Sequence, residues 1–75
     1  MDSQIVGKII RFHRKQAGLS QEELATLAGV GKTVVFDIEN GKMSIRFSTL
    51  TKLFDALNIR LTFESQLMRL FNETS

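Results

Sequence analysis

Cysteine, proline, tryptophan and tyrosine are all absent from this chain, and histidine occurs once. Without cysteine the chain can form neither disulfides nor thiolate zinc sites, and a single histidine cannot build a polyhistidine metal site. Its apolar runs reach only two or three residues, too few for a membrane span or the core of a signal peptide. Because proline is the strongest helix breaker, its absence favours helix over most of the chain. These absences predict a cytoplasmic, cofactor-free and mainly helical protein.

The residues that are present fit one small domain. Of the 75 residues, 43% are hydrophobic and 24% are charged, a balance typical of globular proteins and not of disordered ones. A chain this short buries roughly 60–65% of its unfolded surface. We therefore expect a marginally stable monomer that gains stability by forming an oligomer.

The positive charges are concentrated near the start of the chain. Ten Lys and Arg against eight Asp and Glu give a net charge of only +2. Four of the ten lie in the first 19 residues, at Lys8, Arg11, Arg14 and Lys15. A cationic end permits nucleic-acid binding, but a solvated helix face explains the same charges equally well.

Apolar spacing and capping residues predict four helices before residue 58, at about 4–17, 21–28, 31–40 and 49–57. The second helix has the clearest start, because Ser20 and Glu23 are spaced as a capping box. Ser48 is the expected cap of the fourth helix. Glycine, which easily adopts the left-handed conformation that ends a helix, follows the first three at Gly18, Gly29 and Gly41.

The pattern changes to a period of two after the fourth helix. Ile59, Leu61 and Phe63 alternate with polar residues, which predicts one β-strand over 59–64. A lone strand has no partner within the chain, so we expect a second copy to pair with it. The apolar residues that follow predict a short helical stripe completing this dimer interface: Leu67, Met68, Leu70 and Phe71.

The stretch 21–40 fits the helix-turn-helix unit, in which two short helices are joined by a tight turn. Ala25 is small where the two helices cross, and Gly29 lies where the turn needs a positive φ. Three further positions are apolar where the second helix must attach to the core: Val30, Val35 and Ile38. This unit presents its second helix to the major groove of DNA.

Around this unit the sequence resembles the XRE/Cro/CI family of bacterial and phage repressors over residues 5–59. The resemblance is carried by three segments, GLSQEELA at 18–25, AGV at 28–30 and IENGK at 38–42. The terminal strand further resembles the HipB antitoxin subgroup, in which a C-terminal strand pairs across a dimer. In that subgroup the repressor also binds a HipA-type kinase toxin.

The resemblance implies a lambda-repressor-like, all-α fold of four to five helices with one C-terminal strand. It divides the chain into a DNA-binding domain at 1–58 and a dimerisation or partner-binding tail at 59–75. The implied function is repression by a homodimer on a palindromic operator in bacterial double-stranded DNA, as the autoregulating antitoxin of a HipA-like kinase toxin. The alternative is a phage-type or restriction-modification controller with no toxin partner.

The resemblance also implies the roles of individual residues. The base-contacting positions of the family map onto Lys32, Thr33, Val34 and Asp37. Its phosphate-contacting positions map onto Gln21, Lys42 and Arg46. Arg14 and Glu39 occupy positions that form an ion pair inside the fold, with a solvated charge as the alternative for Arg14.

Two further side chains and the enzyme class complete the expectations. Phe36 packs at the rim against a neighbouring helix or contacts a base, and packing is favoured. His13 is expected to be a packed or partly exposed imidazole because no second His or Cys exists to share a metal. No phosphate-binding glycine loop and no nucleophile with a nearby base is recognisable. We therefore predict a protein that is not an enzyme.

Overall fold

A computed structural model of the protein describes residues 3–42 and 44–74. Five α-helices form this part of the chain, α1 Ser3–Gln16, α2 Gln21–Ala28, α3 Lys32–Glu39, α4 Phe47–Ala56 and α5 Met68–Thr74. The predicted all-α fold with four to five helices is confirmed. Within the described residues, none of the helices is long and apolar enough to cross a membrane.

The hydrophobic core lies between the first four helices. Packing is closest between α2 and α3, between α1 and α3, and between α2 and α4. The core consists of one cluster of buried apolar side chains, contributed by Ile10, Leu24, Ala25, Val35, Ile38, Leu53 and Phe54. The apolar faces read from the helical periodicity therefore converge on a single core.

Helix α1 approaches α3 closely because its buried residue Gly7 has no side chain. A Cβ atom at Gly7 would overlap the carbonyl oxygen of Ile38 and come within 3.2 Å of the Glu39 Cα. A glycine inside a helix costs about 1 kcal/mol relative to alanine. The close backbone contact explains why a glycine occupies this position, which the sequence did not single out.

The predicted start of α4 is wrong by two residues. Arg46 is the N-cap and makes no side-chain capping bond, while Ser48 lies inside the first turn. The helix begins early because the Leu50 amide donates to the Arg46 carbonyl at 3.1 Å. Serine is preferred over arginine as an N-cap. In α4 this preference is outweighed by the backbone geometry that turns the apolar face of the helix toward the core.

The strand predicted over 59–64 is not found in the described chain, where residues 59–65 have no regular secondary structure. A strand needs backbone partners on a neighbouring strand, and the single chain offers none. Instead, the Ile59 amide donates to the Phe54 carbonyl at 2.8 Å and ends α4. Ile59 and Leu61 are half-buried against the core, whereas Phe63 is exposed. The alternation of apolar and polar residues therefore places Ile59 and Leu61 against the core of the same chain.

Candidate nucleic-acid interface

Helix α2 is capped at its start and ends in a tight turn that leads into α3. Ser20 Oγ accepts from the Glu23 amide at 3.0 Å, and Glu23 Oε1 accepts from the Ser20 amide at 2.8 Å. At the other end of α2, Gly29 has a φ of 73° and the Val30 amide donates to the Ala25 carbonyl at 2.9 Å. Ala25 is buried where the two helices cross. The capping box and the glycine turn predicted from the sequence are confirmed.

The outer face of α3 carries the side chains predicted to meet DNA bases. Lys32 and Thr33 are exposed in its first turn, while Val34 and Asp37 are half-buried. Phe36 is 52% exposed, so about half of the residue's surface is open to solvent. Helix α3 is thus anchored on one side and open to solvent on the other, which is the arrangement that a recognition helix requires.

A cleft beside α3 brings several predicted contact residues together. Its volume is about 340 Å³, and it lies between α3, the loop that follows, and the first turn of α4. Its lining includes four predicted DNA contacts, Val34, Asp37, Lys42 and Arg46, together with Ser44, Ile45 and Thr49. Ser44 and Thr49 were not identified from the sequence because nothing in their local pattern marks them. Their hydroxyls add hydrogen-bonding groups to the same surface.

Two of the predicted contact lysines are paired with carboxylates of the same chain. Lys32 Nζ lies 3.5 Å from Glu22 Oε2, which joins the start of α3 to the first turn of α2. Lys42 Nζ lies 3.3 Å from Asp37 Oδ2, which joins the loop to α3. The surface around α3 is consequently less positive than its lysines alone would make it.

A nearly buried ion pair connects α1 to α3. Arg14 Nε donates to Glu39 Oε2 at 2.7 Å, and a second guanidinium nitrogen donates to Oε1 at 2.9 Å. The Arg14 side chain is 10% exposed and that of Glu39 only 3%. A third guanidinium nitrogen donates to the Leu19 carbonyl at 2.8 Å. The Arg14 and Glu39 side chains thus lie in direct contact, joining the last turn of α1 to the end of α3.

Gln21, at the start of α2, extends this network. Its side-chain Nε2 donates to Glu39 Oε1 at 3.2 Å. The predicted phosphate contact therefore has its amide nitrogen held by a carboxylate of the same chain. This hydrogen bond links the first turn of α2 to the end of α3. A phosphate bound at that turn would therefore meet groups that are already held in place.

The network also sets the ionisation of Glu39. Burial of the carboxyl raises its pKa, but hydrogen bonds from Arg14 and Gln21 and the nearby charges of Arg14 and Arg11 lower it more. The net effect is a pKa of Glu39 below its ordinary value. The hydrogen bond to Glu39 raises the pKa of the Arg14 guanidinium more than burial lowers it. Both groups are therefore charged at neutral pH.

Acid is expected to destabilise the fold through Glu39. Its folded pKa is lowered, so its contribution to stability is complete above the unfolded pKa of about 4.3 and is lost as the pH falls through the folded value. Thermal unfolding followed by circular dichroism should give a constant midpoint between about pH 5 and pH 7, and a falling midpoint below about pH 4. A midpoint that stays constant down to pH 3 would contradict this assignment.

The lone histidine has a local structural role. His13 Nδ1 donates to the Ile9 carbonyl at 2.6 Å, and its ring meets the Phe12 ring edge to face, with centroids 5.6 Å apart. The imidazole is half-buried on α1, as the sequence predicts. In the part of the chain that the structure describes, no three His, Asp or Glu side chains are grouped so as to hold a metal ion.

Comparison with known proteins identifies the class. The helix-turn-helix family profile matches residues 10–63. The chain belongs to the helix-turn-helix family. This family consists of DNA-binding transcription regulators, and the resemblance to the XRE family is confirmed at the level of a helix-turn-helix transcriptional regulator. The match includes all of α2, the turn and α3, whose geometry is described above.

Relatives of this helix-turn-helix protein include a transcriptional regulator, a phage control-region protein and a control protein. An uncharacterized HTH-type transcriptional regulator of Sinorhizobium fredii is 35% identical over 69% of this chain and 68% of its own length. The ImmF control region 10 kDa protein of Bacillus phage phi105 is 33% identical over 81% of this chain and 68% of its own length. Control protein C.SmaI of Serratia marcescens is 34% identical over 73% of this chain and 66% of its own length.

Proposed function

We propose that this helix-turn-helix protein is a sequence-specific repressor that binds, as a homodimer, an operator with an inverted repeat. The observation that carries the proposal is the convergence of Val34, Asp37, Lys42 and Arg46 on one cleft beside the exposed face of α3. One such helix reads only a few base pairs, so helix-turn-helix dimers place two of them in successive major grooves about 34 Å apart.

Within this proposal the residues divide into two roles. Lys32, Thr33, Val34 and Asp37 read base edges from the start and middle of α3. Lysine donates to guanine, an aliphatic side chain contacts the thymine methyl, and a carboxylate accepts from cytosine. Gln21, Lys42 and Arg46 contact phosphates, which sets the position of α3 in the groove.

The tail at 59–75 supplies the dimer contact in this proposal. Helix α5 has no buried residue, and Phe63 and Leu67 are 68% and 69% exposed. A helix of seven residues is not stable in water without tertiary contacts. A second copy of the chain could pair its 59–64 segment with the same segment of this one. It would also cover the exposed apolar side chains of the tail and give α5 the tertiary contacts that it lacks; these side chains are Leu67, Met68, Leu70 and Phe71. Residues 1–58 then form the DNA-binding domain, against which Ile59 and Leu61 also pack.

The names of the relatives favour a regulator without a toxin. Two of them are named as a phage control-region protein and as a control protein, which agrees with the phage-type or restriction-modification-type alternative. The second candidate is a HipB-like antitoxin that binds a HipA-like kinase toxin. The exposed apolar side chains of the tail support it, because a toxin could cover them instead of a second copy.

Deletion of residues 66–75 separates these two candidates. If the tail forms the dimer, the truncated protein is expected to be monomeric in light scattering and to lose about 100-fold or more in operator affinity, because one half-site is read instead of two. Arg69→Ala is the matched control, since that side chain is 91% exposed. A truncated protein that remains dimeric and binds the operator would remove residues 66–75 from the dimer contact and leave them free for a partner, with the 59–64 segment as the remaining dimer contact.

Two lysine variants test how DNA is read. Lys32→Ala is expected to lose about 1–3 kcal/mol on the operator and to relax specificity at one base pair, whereas Lys42→Ala should weaken all sequences alike. The operator is first obtained by selecting bound duplexes from a random pool. Lys52→Ala is the control, because Lys52 lines a separate cleft between α2 and α4. Failure to recover any inverted repeat would overturn the proposed function.

A further inference from the structure

Two of the three cations assigned to DNA contact already have a negative partner within the chain. Lys32 Nζ is 3.5 Å from Glu22 Oε2, and Lys42 Nζ is 3.3 Å from Asp37 Oδ2. Arg46 is in none of the ion pairs of the described residues. Both carboxylates lie on the surface that would face DNA, where the phosphates repel them.

We propose that Glu22 and Asp37 are specificity-determining residues that act as internal counterions of the DNA-contacting lysines. Each carboxylate competes with DNA phosphates for one ammonium group, so both weaken binding to DNA of any sequence. At the operator, base edges compensate for this competition. The inference rests on the proposed function and adds residues that reject non-operator DNA.

The argument follows from how non-specific complexes are held together. Their affinity comes almost entirely from cations that neutralise phosphates and release counterions. A lysine held at 3.3–3.5 Å by its own carboxylate neutralises less phosphate charge and therefore displaces fewer of the cations condensed on the DNA. The local charge of Lys32, Lys42 and Arg46 falls from three to one once Glu22 and Asp37 are included.

An operator can offset the competition between the carboxylates and DNA for the lysines, whereas other DNA cannot. Guanine O6 and N7 replace the carboxylate as acceptors for Lys32, and cytosine N4 gives Asp37 a donor. Both side chains of the Lys32–Glu22 pair are exposed, and in the Lys42–Asp37 pair the lysine is exposed and the carboxylate half-buried. Ion pairs open to solvent contribute little to folding stability. They can therefore open on binding without disturbing the fold, and their effect is expected in DNA affinity.

The test uses the charge-removing variants Glu22→Gln and Asp37→Asn on the full chain. Binding to a 20-base-pair duplex of scrambled sequence is measured by fluorescence anisotropy over a range of salt concentrations. Each variant is expected to bind about five- to tenfold more tightly than wild type at 0.1 M salt, with a salt slope steeper by about 0.9, the contribution of one phosphate contact. Asp55→Asn, an exposed carboxylate lining the separate α2–α4 cleft, is the matched control.

The duplex recovered by selection from a random pool supplies the second measurement. In both variants the affinity for the selected duplex is expected to rise less than the affinity for the scrambled duplex. The preference for the selected over the scrambled duplex therefore falls. The inference is overturned if Glu22→Gln and Asp37→Asn bind the scrambled duplex no more tightly than Asp55→Asn, while wild type still prefers the selected duplex. Wild-type protein that binds neither duplex overturns the proposed function itself. Thermal midpoints within a few degrees of wild type establish that the variants are folded.

Discussion

Glu39→Ala is expected to unfold most of the protein at 37 °C. The substitution leaves the Arg14 guanidinium without its carboxylate in a site where its side chain is 10% exposed. Removing one partner of a buried ion pair costs about 3–5 kcal/mol, which is comparable with the whole stability of a small domain. Chemical denaturation followed by circular dichroism measures the loss directly.

Two control variants separate the ion pair from other effects of Glu39. Replacing both partners, as Arg14→Met with Glu39→Met, should cost much less than Glu39→Ala alone because no uncompensated charge remains. Glu73→Ala breaks the exposed pair with Arg69 and should cost about 0.5 kcal/mol or less. The assignment is wrong if the double variant is as unstable as the sum of the two single variants, since paired residues must couple.

Gly7→Ala is expected to destabilise the fold by about 2–3 kcal/mol, the cost of forcing extra volume into a packed interface. In an unhindered helix the same change would stabilise by about 1 kcal/mol. Here the new Cβ would overlap the Ile38 carbonyl oxygen, and backbone cannot move aside as a flexible side chain does. Helix α1 would separate from α3. Urea denaturation with an unchanged m-value measures the loss.

The matched control for this prediction is another glycine-to-alanine change. Gly31 has a φ of −73°, and a Cβ there would have its nearest neighbour, Val34 Cγ2, at 3.9 Å. Gly31→Ala should therefore cost about 0.5 kcal/mol, from the poorer helix cap alone. A Gly7→Ala protein at least as stable as wild type would show that α1 and α3 are not packed through this glycine.

The helix-turn-helix unit was predictable because its signals are local. Ser20 and Glu23 identify the start of α2 within four residues, and Gly29 identifies its end. The apolar period of α3 then separates its anchored side from its open side. Each feature depends on backbone preferences that operate over a few residues. Structure and sequence therefore agree on the part of the chain that would meet DNA.

The C-terminal strand predicted over 59–64 is not present in the described single chain because strand formation is not local. Alternation of apolar and polar residues specifies which side chains share a face, and a strand exists only when backbone partners are present. In the single chain the half-buried Ile59 and Leu61 use that alternation to pack on the core. Whether residues 59–64 pair across a dimer depends on a second chain.

By itself the sequence determined the helical class, the position of the turn, and the residues on the outer face of α3. These follow from composition, capping and periodicity, which are properties of neighbouring residues. Only the tertiary structure decided that α1 contacts α3 through Gly7, that Gln21 joins the Arg14–Glu39 pair, and that Glu22 and Asp37 pair with Lys32 and Lys42. Such contacts join residues that are distant in the chain, and their geometry exists only once the helices have packed.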